Sequence, residues 1–330
     1  FQAEDGIRDF CLSRGLGDVY KRQIHEVPAR FINPEFSPIL AGGAGAFTYA
    51  SKLRKEAKLE KDFVMLTDAG NIFQGSQLGT YDGGSNIIKW MNWMAYDALA
   101  PGVRDFDQGV NNLSKLASEA NFPFIASNLE GVDGIEDYKI INANGVKIGL
   151  IGLITPFISE GLLPEYYEGV AVSDIMKTLG AQIEKIRSDV DLIFVLSHLG
   201  IPYDREDEYD DFIKDIEQGV ERPIRNAIEL AHFTDEVDVI ITGGVSKGYD
   251  TPWVDPTNHT IVLQNYGNLT GLGHLVLHID NQNKVIENYS FPTERGMMVN
   301  LFTDDIWPVS YTHLRDHETG RNIVFRRLHE

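Results

Sequence analysis

A repeated order constrains this chain most: a short apolar run, a small or polar turn, then helical spacing. Residues 63–67 (FVMLT) stop at Asp68-Ala69-Gly70, residues 192–196 (LIFVL) at Ser197-His198, and residues 237–241 (VDVII) at Thr242-Gly243-Gly244. Short apolar runs bounded by turn residues predict buried strands. Helices are predicted over 87–96, 110–120, 175–187 and 222–231, and a further strand over 124–127. Residues 138–143 and 146–154 flank Asn144-Gly145, a pair suited to positive φ, and predict a β-hairpin with a type I′ turn. Strands then dominate, over 261–265, 274–279 and 285–289. The acidic stretch 204–211 reads as a solvated loop, with a cap over the mouth of a site as the alternative. Gly267, Gly271 and Gly273 read as loop glycines, because no helix pattern follows them as a phosphate cradle requires.

This alternation predicts an α/β fold, in which ligands bind at the carboxyl ends of the strands. The later β-rich part predicts a second sheet packed on the first. The composition, 43% hydrophobic and 24% charged over 330 residues, supplies a large core. A net charge of −20 repels phosphate backbones and anionic lipid, so nucleic acid and membrane insertion are not expected. The single cysteine, Cys11, excludes a disulfide framework and a cysteine-rich zinc site.

The two ends read differently from the middle. Residues 1–23 (FQAEDGIRDFCLSRGLGDVYKRQ) and 308–330 (PVSYTHLRDHETGRNIVFRRLHE) resemble translated sequencing-adapter read-through and are set aside as artefactual tails. The expected domain is therefore 24–307, cut at both ends. Setting the tails aside removes Cys11, His313, His317 and His329 from consideration, and with a truncated N-terminus no signal peptide is visible.

The post-strand loops carry a resemblance. Residues 68–75 (DAGNIFQG), 101–107 (PGVRDFD), 197–200 (SHLG) and 242–248 (TGGVSKG) stand, in order, where the second to fifth motifs of one family stand, followed by a familial 249–253 (YDTPW). Upstream, 29–36 (ARFINPEF) and Gly42-Gly43 resemble the segment after that family's first motif. Four loops in register resemble the catalytic domain of the metallophosphoesterase (calcineurin-like) superfamily, 5'-nucleotidase branch. The resemblance implies a four-layer α/β/β/α sandwich with two packed mixed sheets. It also implies a site for two divalent metal ions, zinc, manganese or similar. It places the chain as a 24–307 domain truncated at its N-terminus, without the family's C-terminal nucleotidase domain.

Two-metal hydrolysis needs ions roughly 3.5–4 Å apart, bridged by a carboxylate. Asn71 stands at the bridging position and offers only a neutral amide. Val103 replaces a ligating asparagine, and Gly244 and Ser246 replace two histidines. Arg104 replaces the histidine that assists the leaving group; it has no lone pair and is always charged. Such a charge beside a dication at ~4 Å costs about 8 kcal/mol at an effective dielectric of ~20. His198 survives as a vestigial ligand, and Asn71, Asp68 and Asp107 are weaker metal candidates.

Each residue also has a plainer reading. His198 reads first as a hydrogen-bonded histidine at a strand end and Asp68 first as a turn cap, whereas Asp105 and Asp107 read equally as partners of Arg104 in a salt bridge or turn. His274 and His278 share one face of a predicted strand, with surface or edge positions favoured over a metal pair. His25, His232 and His259 have no constellation around them.

The first expectation is thus a non-hydrolysing pseudoenzyme with no bound metal. It would bind phosphate or nucleotide through Arg104, Lys247 and Asn71, or support a protein partner whose identity is unknown. The alternatives are an active phosphohydrolase using His198 with Asp68 and Asp107, and a purely structural domain. The resemblance also implies an extracytoplasmic location, periplasmic or at the cell surface.

Overall fold

The computed structural model describes residues 42–73, 77–245, 247–267, 271–294 and 296–300. The tails, the 29–36 segment, Gln74-Gly75 and Ser246 lie outside the described residues. Helices of more than four residues are α1 (Gly42–Glu60), α2 (Ser85–Met94), α3 (Val110–Glu119), α4 (Ile175–Ile186), α5 (Arg205–Glu217) and α6 (Ala227–His232). The strands run β1 (Thr67–Asp68), β2 (Ala98–Leu99), β3 (Phe124–Ile125), β4 (Leu129–Glu130), β5 (Ile135–Glu136), β6 (Tyr138–Ala143), β7 (Val146–Ile154) and β8 (Ala171–Val172). They continue as β9 (Leu192–His198), β10 (Val239–Thr242), β11 (Trp253–Val254), β12 (Ile261–Gln264), β13 (Gly271–Gly273), β14 (Val276–Asp280), β15 (Val285–Ser290) and β16 (Met298–Asn300).

Two sheets dominate. The smaller has the order β1-β2-β3-β5 and is parallel throughout its described strands. The larger, β11-β12-β10-β9-β7-β6, has a parallel centre and antiparallel edges. So one of the two expected mixed sheets is mixed and the other is parallel among the described residues. Period-two alternation assembles the layers. Leu150, Phe194, Leu196 and Val239 face Ala69, Ala98, Ala100 and Ile125 between the sheets. Their neighbours Ile151, Ile193, Val195 and Ile240 face Leu179 and Ile183 of α4, Phe212 of α5 and Ile228 of α6. On the far side of the smaller sheet, Ile88 and Met91 of α2 and Leu113 and Leu116 of α3 pack on Leu99 and Phe124. The result is helix, sheet, sheet, helix. Each fully buried Leu, Ile or Phe in these layers contributes about 1.5–3 kcal/mol.

The hairpin follows its turn chemistry. Asn144 and Gly145 take φ of 54° and 100°, and the ladder pairs Ala143 with Val146. Elsewhere the structure corrects the sequence reading. The 204–211 loop is instead the start of α5: Glu206, Asp207 and Glu208 sit in its first turn, where the helix dipole favours negative charge, and Tyr209 and Phe212 bury one face. The predicted 222–231 helix begins only at Ala227. Pro223 disfavours helix in the residue before it, and Asn226 caps the start by accepting from Ile228 and Glu229. Gly271 and Gly273 belong to strand β13, paired with β16. α1 has no predicted counterpart; it buries glycine and alanine, which leave little periodic signal. His274 lies just before β14 and contacts the Tyr49 hydroxyl at 2.7 Å, whereas His278 contacts Ser290 at 2.8 Å. The two histidines thus have separate partners.

A cavity of about 610 Å³ lies between α1, the outer edge of β1 and the larger sheet, lined by Met65, Thr67, Phe194, Ile241 and Leu263 among others.

Candidate functional site

The loops after β1, β2, β9 and β10 meet around one glycine. A Cβ on Gly102 would lie 2.4 Å from Asn71 Oδ1 and 2.6 Å from His198 Cε1. Only glycine lets the Asn71 amide and the His198 imidazole approach the backbone this closely. Gly244, at φ 112°, closes another side, its Cβ position 3.4 Å from His198 Cδ2. The structure therefore brings together Asn71, Gly102, His198 and Gly244 from four loops.

Hydrogen bonds fix these loops. Asp68 Oδ1 accepts from Gly70 N–H at 3.0 Å, tightening the turn after β1. Asn71 then takes φ 62°, a left-handed conformation that asparagine tolerates. Its amide N–H and that of Ile72 donate to Asp105 at 2.7 and 2.8 Å, and Gly102 N–H donates to the same carboxylate at 2.8 Å. Asp105 is fully buried, so these three donors replace its lost hydration. In the reverse direction, Asn71 Oδ1 accepts the Arg104 N–H at 2.8 Å. Each loop thus holds the other.

His198 is buried, and its Nδ1 bonds the carbonyl oxygen of Ala69. A carbonyl only accepts, so the proton is on Nδ1 and the Nε2 lone pair is bare. Burial lowers the His198 pKa to about 4, against the opposing pull of the Ala69 carbonyl, so the ring is neutral near pH 7. Its Nε2 and the Nδ2 of Asn71 are both buried without a hydrogen-bond partner.

The remaining candidates point elsewhere. Val103 is buried in the apolar cluster of the helix layer, close to Gly161. The Arg104 guanidinium lies 3.5 Å from Asp107. Burial raises the Asp107 pKa, and Arg104 partly offsets this. The Lys247 ammonium donates to the Tyr203 carbonyl and lies over the Tyr249 ring at 5.0 Å. Arg104 and Lys247 therefore have separate partners. Among the described residues, no three His, Cys, Asp or Glu side chains gather as a metal ion would require.

Two residues that hold the site were not singled out as site residues in the sequence, although Thr242 opens the 242–248 motif. Thr242 Oγ1 accepts from Ser197 Oγ at 3.0 Å, Gly200 N–H at 2.9 Å and Leu199 N–H at 3.3 Å. Gln264 accepts from Ile201 N–H and donates to the Lys247 carbonyl. Both pin the loop that follows His198. A threonine and a glutamine at strand ends are too common to be singled out from one sequence.

No family model matches the chain. It is 26% identical to rat 5'-nucleotidase over 307 residues, 87% of this chain and 50% of the relative. It is 25% identical to human 5'-nucleotidase over 93% of this chain and 54% of the relative. The chain thus spans about half the length of the curated relatives it matches. Among solved structures, a 5'-nucleotidase precursor from Thermus thermophilus superimposes with a TM-score of 0.64 at 20% identity, covering 89% of this chain and 54% of that one. A calcineurin-like phosphoesterase from Bacillus subtilis does so with 0.61 at 20% identity, covering 97% and 98%. The layered architecture, the loops in register and similarity over nearly the whole chain support a metallophosphoesterase domain of the 5'-nucleotidase branch.

Proposed function

We propose that this domain binds phosphate or a phosphate-bearing nucleotide without hydrolysing it. One observation carries the reading: the side-chain carbonyl of Asn71, at the bridging position of the family's metal site, accepts the Arg104 N–H, which leaves a neutral oxygen with one lone pair where two dications need a bridging carboxylate. The rest of the donor set agrees. Val103 is apolar and buried, Gly244 has no side chain, and Arg104 pairs with Asp107. These residues do not fit two dications, and no hydrolytic step is assigned to them. Their unpartnered atoms call for a group that both accepts and donates. The Asn71 Nδ2–H needs an acceptor and the His198 Nε2 needs a donor. A monoprotonated phosphate supplies both, an O⁻ to the amide and an O–H to the imidazole.

A second reading is a metal-dependent phosphohydrolase, and the orientation of His198 favours it. A ring that gives its Nδ1–H to a backbone carbonyl and keeps Nε2 bare is oriented as metal-ligating histidines are. Calorimetric titration with manganese, zinc and inorganic phosphate separates the two. Phosphate binding without metal is the expected result; tight binding of two metals would establish the second reading instead. An extracytoplasmic location belongs to the same proposal. No helix among the described residues is long and apolar enough to cross a membrane.

A further inference from the structure

We propose that the cavity beside β1 is a strand-addition site for an extended apolar peptide of another protein, with an acidic residue at the end nearest Lys58 and Lys61.

The site starts from an open sheet edge. Among the described residues β1 is the end strand of the smaller sheet and pairs only with β2. Successive residues of a strand turn their backbone N–H and C=O groups to opposite sides. Leu66 and Asp68 face β2: Leu66 N–H donates to Asp97 at 2.8 Å, the Leu66 carbonyl accepts from Asp97 N–H at 2.7 Å, and the Asp68 carbonyl accepts from Ala100 N–H at 2.9 Å. Met65 and Thr67 therefore turn their backbone groups the other way, towards the cavity that both residues line. Such an edge is a template for a further strand, which is how sheet proteins take up extended peptides.

The opposite wall lacks a cover. β10 runs parallel between β9 and β12, and central parallel strands are normally buried on both faces. Ile240, on the helix side, is fully buried, but its neighbour Ile241 and Leu263 of β12 are only partly so. Both line the cavity, so the smaller sheet stops short of them. A strand lying about 4.8 Å beyond β1 extends that sheet in their direction. Residues 63–67 line the cavity, whose volume is about 610 Å³, so an occupant of about five residues runs beside them. Every second side chain of it meets Phe194, Ile241 and Leu263, which calls for apolar residues in alternation.

The two ends differ in charge. Asn144, just before β7, bonds the Lys61 carbonyl at the amino end of the larger sheet's parallel strands. There Arg54, Lys58 and Lys61, with Asp62 as one carboxylate, line an adjoining hollow. Arg54 donates to the Met94 and Ala95 carbonyls, so Lys58 and Lys61 are the cations left to meet an acidic residue. Asn265, after β12 at the carboxyl end, is buried and lines the cavity, and its Nδ2 has no hydrogen-bond partner. A peptide carbonyl supplies the acceptor it needs.

Fluorescence anisotropy on the full chain tests this with labelled peptides of about seven residues that alternate valine and threonine, with aspartate at either terminus. Saturable binding of one of the two is expected, with slower hydrogen exchange at the Met65 and Thr67 amides. Proline at two central peptide positions removes ladder donors and is expected to weaken binding at least about tenfold. Ile241→Lys, checked for folding by thermal unfolding, is expected to do the same; should it not fold, the proline peptide and the exchange data decide. No binding of either peptide overturns the proposal, as does binding indifferent to proline with unchanged Met65 and Thr67 exchange. Met65 and Thr67 amides already protected in the free monomer would show the edge to be closed by the chain itself, which also overturns it. Self-association in sedimentation velocity that Ile241→Lys abolishes would make a second copy the occupant and overturn it likewise.

Discussion

The side-chain carbonyl of Asn71 accepts the backbone N–H of Arg104 at 2.8 Å, while the N–H of Asn71 donates to Asp105 at 2.7 Å. The loops after β1 and β2 are therefore cross-linked by reciprocal hydrogen bonds.

Asp105→Asn tests the stronger half of this clasp. The amide keeps the shape but places an NH₂ among three backbone donors and removes the charge they face. A loss of about 3 kcal/mol in urea unfolding is expected, from charge-assisted bonds of roughly 1.5–3 kcal/mol each, less what rearrangement recovers. A loss below ~0.5 kcal/mol would mean that the clasp does not hold the loops.

Gly102→Ala tests the close approach at the centre of the site. The added methyl would meet the Asn71 and His198 side chains at 2.4 and 2.6 Å. Overpacking of this kind costs about 1–3 kcal/mol. Thermal unfolding should fall accordingly, and phosphate affinity should fall with it.

His198 gives a pH signature. Its folded pKa, about 4, lies below the ordinary histidine value of 6.5. The unfolded chain therefore binds the extra proton first, and stability rises with pH through that window. The contribution is full above about pH 6.5 and is lost as pH falls towards 4. It amounts to about 3 kcal/mol at ~1.4 kcal/mol per pKa unit. Urea unfolding of wild type and His198→Asn at pH 4.5 and 7 measures it, with a flatter profile expected for the variant. Asp107 acts in the opposite direction in the carboxylate range, because its raised pKa makes the folded state hold its proton longer.

Thr242→Val retains the shape but not the hydroxyl that accepts from Ser197, Leu199 and Gly200. A loss of about 2 kcal/mol is expected in urea unfolding. Hydrogen exchange should quicken at the Leu199 and Gly200 amides first.

How much of this was legible in the sequence follows from distance along the chain. The 138–154 hairpin was legible because Asn144-Gly145 encodes its own turn. The strand ending at His198 was legible because the apolar run stops there. The start of α5 was not, because an acid-rich stretch looks like loop until Tyr209 and Phe212 find a core. The meeting of the four site loops was readable as order, through the resemblance. The direction of each side chain was not. Whether Arg104 turns to Asp107, or Asn71 spends its carbonyl on a neighbour's N–H, depends on contacts made across the fold.

The bond between His198 and Ala69 joins residues separated by 129 positions, and it links the two sheets. Asp105 reaches Ile72 and Asn71 across 33 and 34 positions within the smaller sheet's loops. The hairpin at the edge of the larger sheet closes across two turn residues. Local pairings form quickly, whereas each distant contact must first overcome the entropy of closing a long loop. The meeting of Asn71 and His198 therefore needs both sheets docked, and is expected to follow the hairpin in folding. A ligand bound against both residues would hold the two halves of the polypeptide together, and would slow their separation more than it alters either sheet alone.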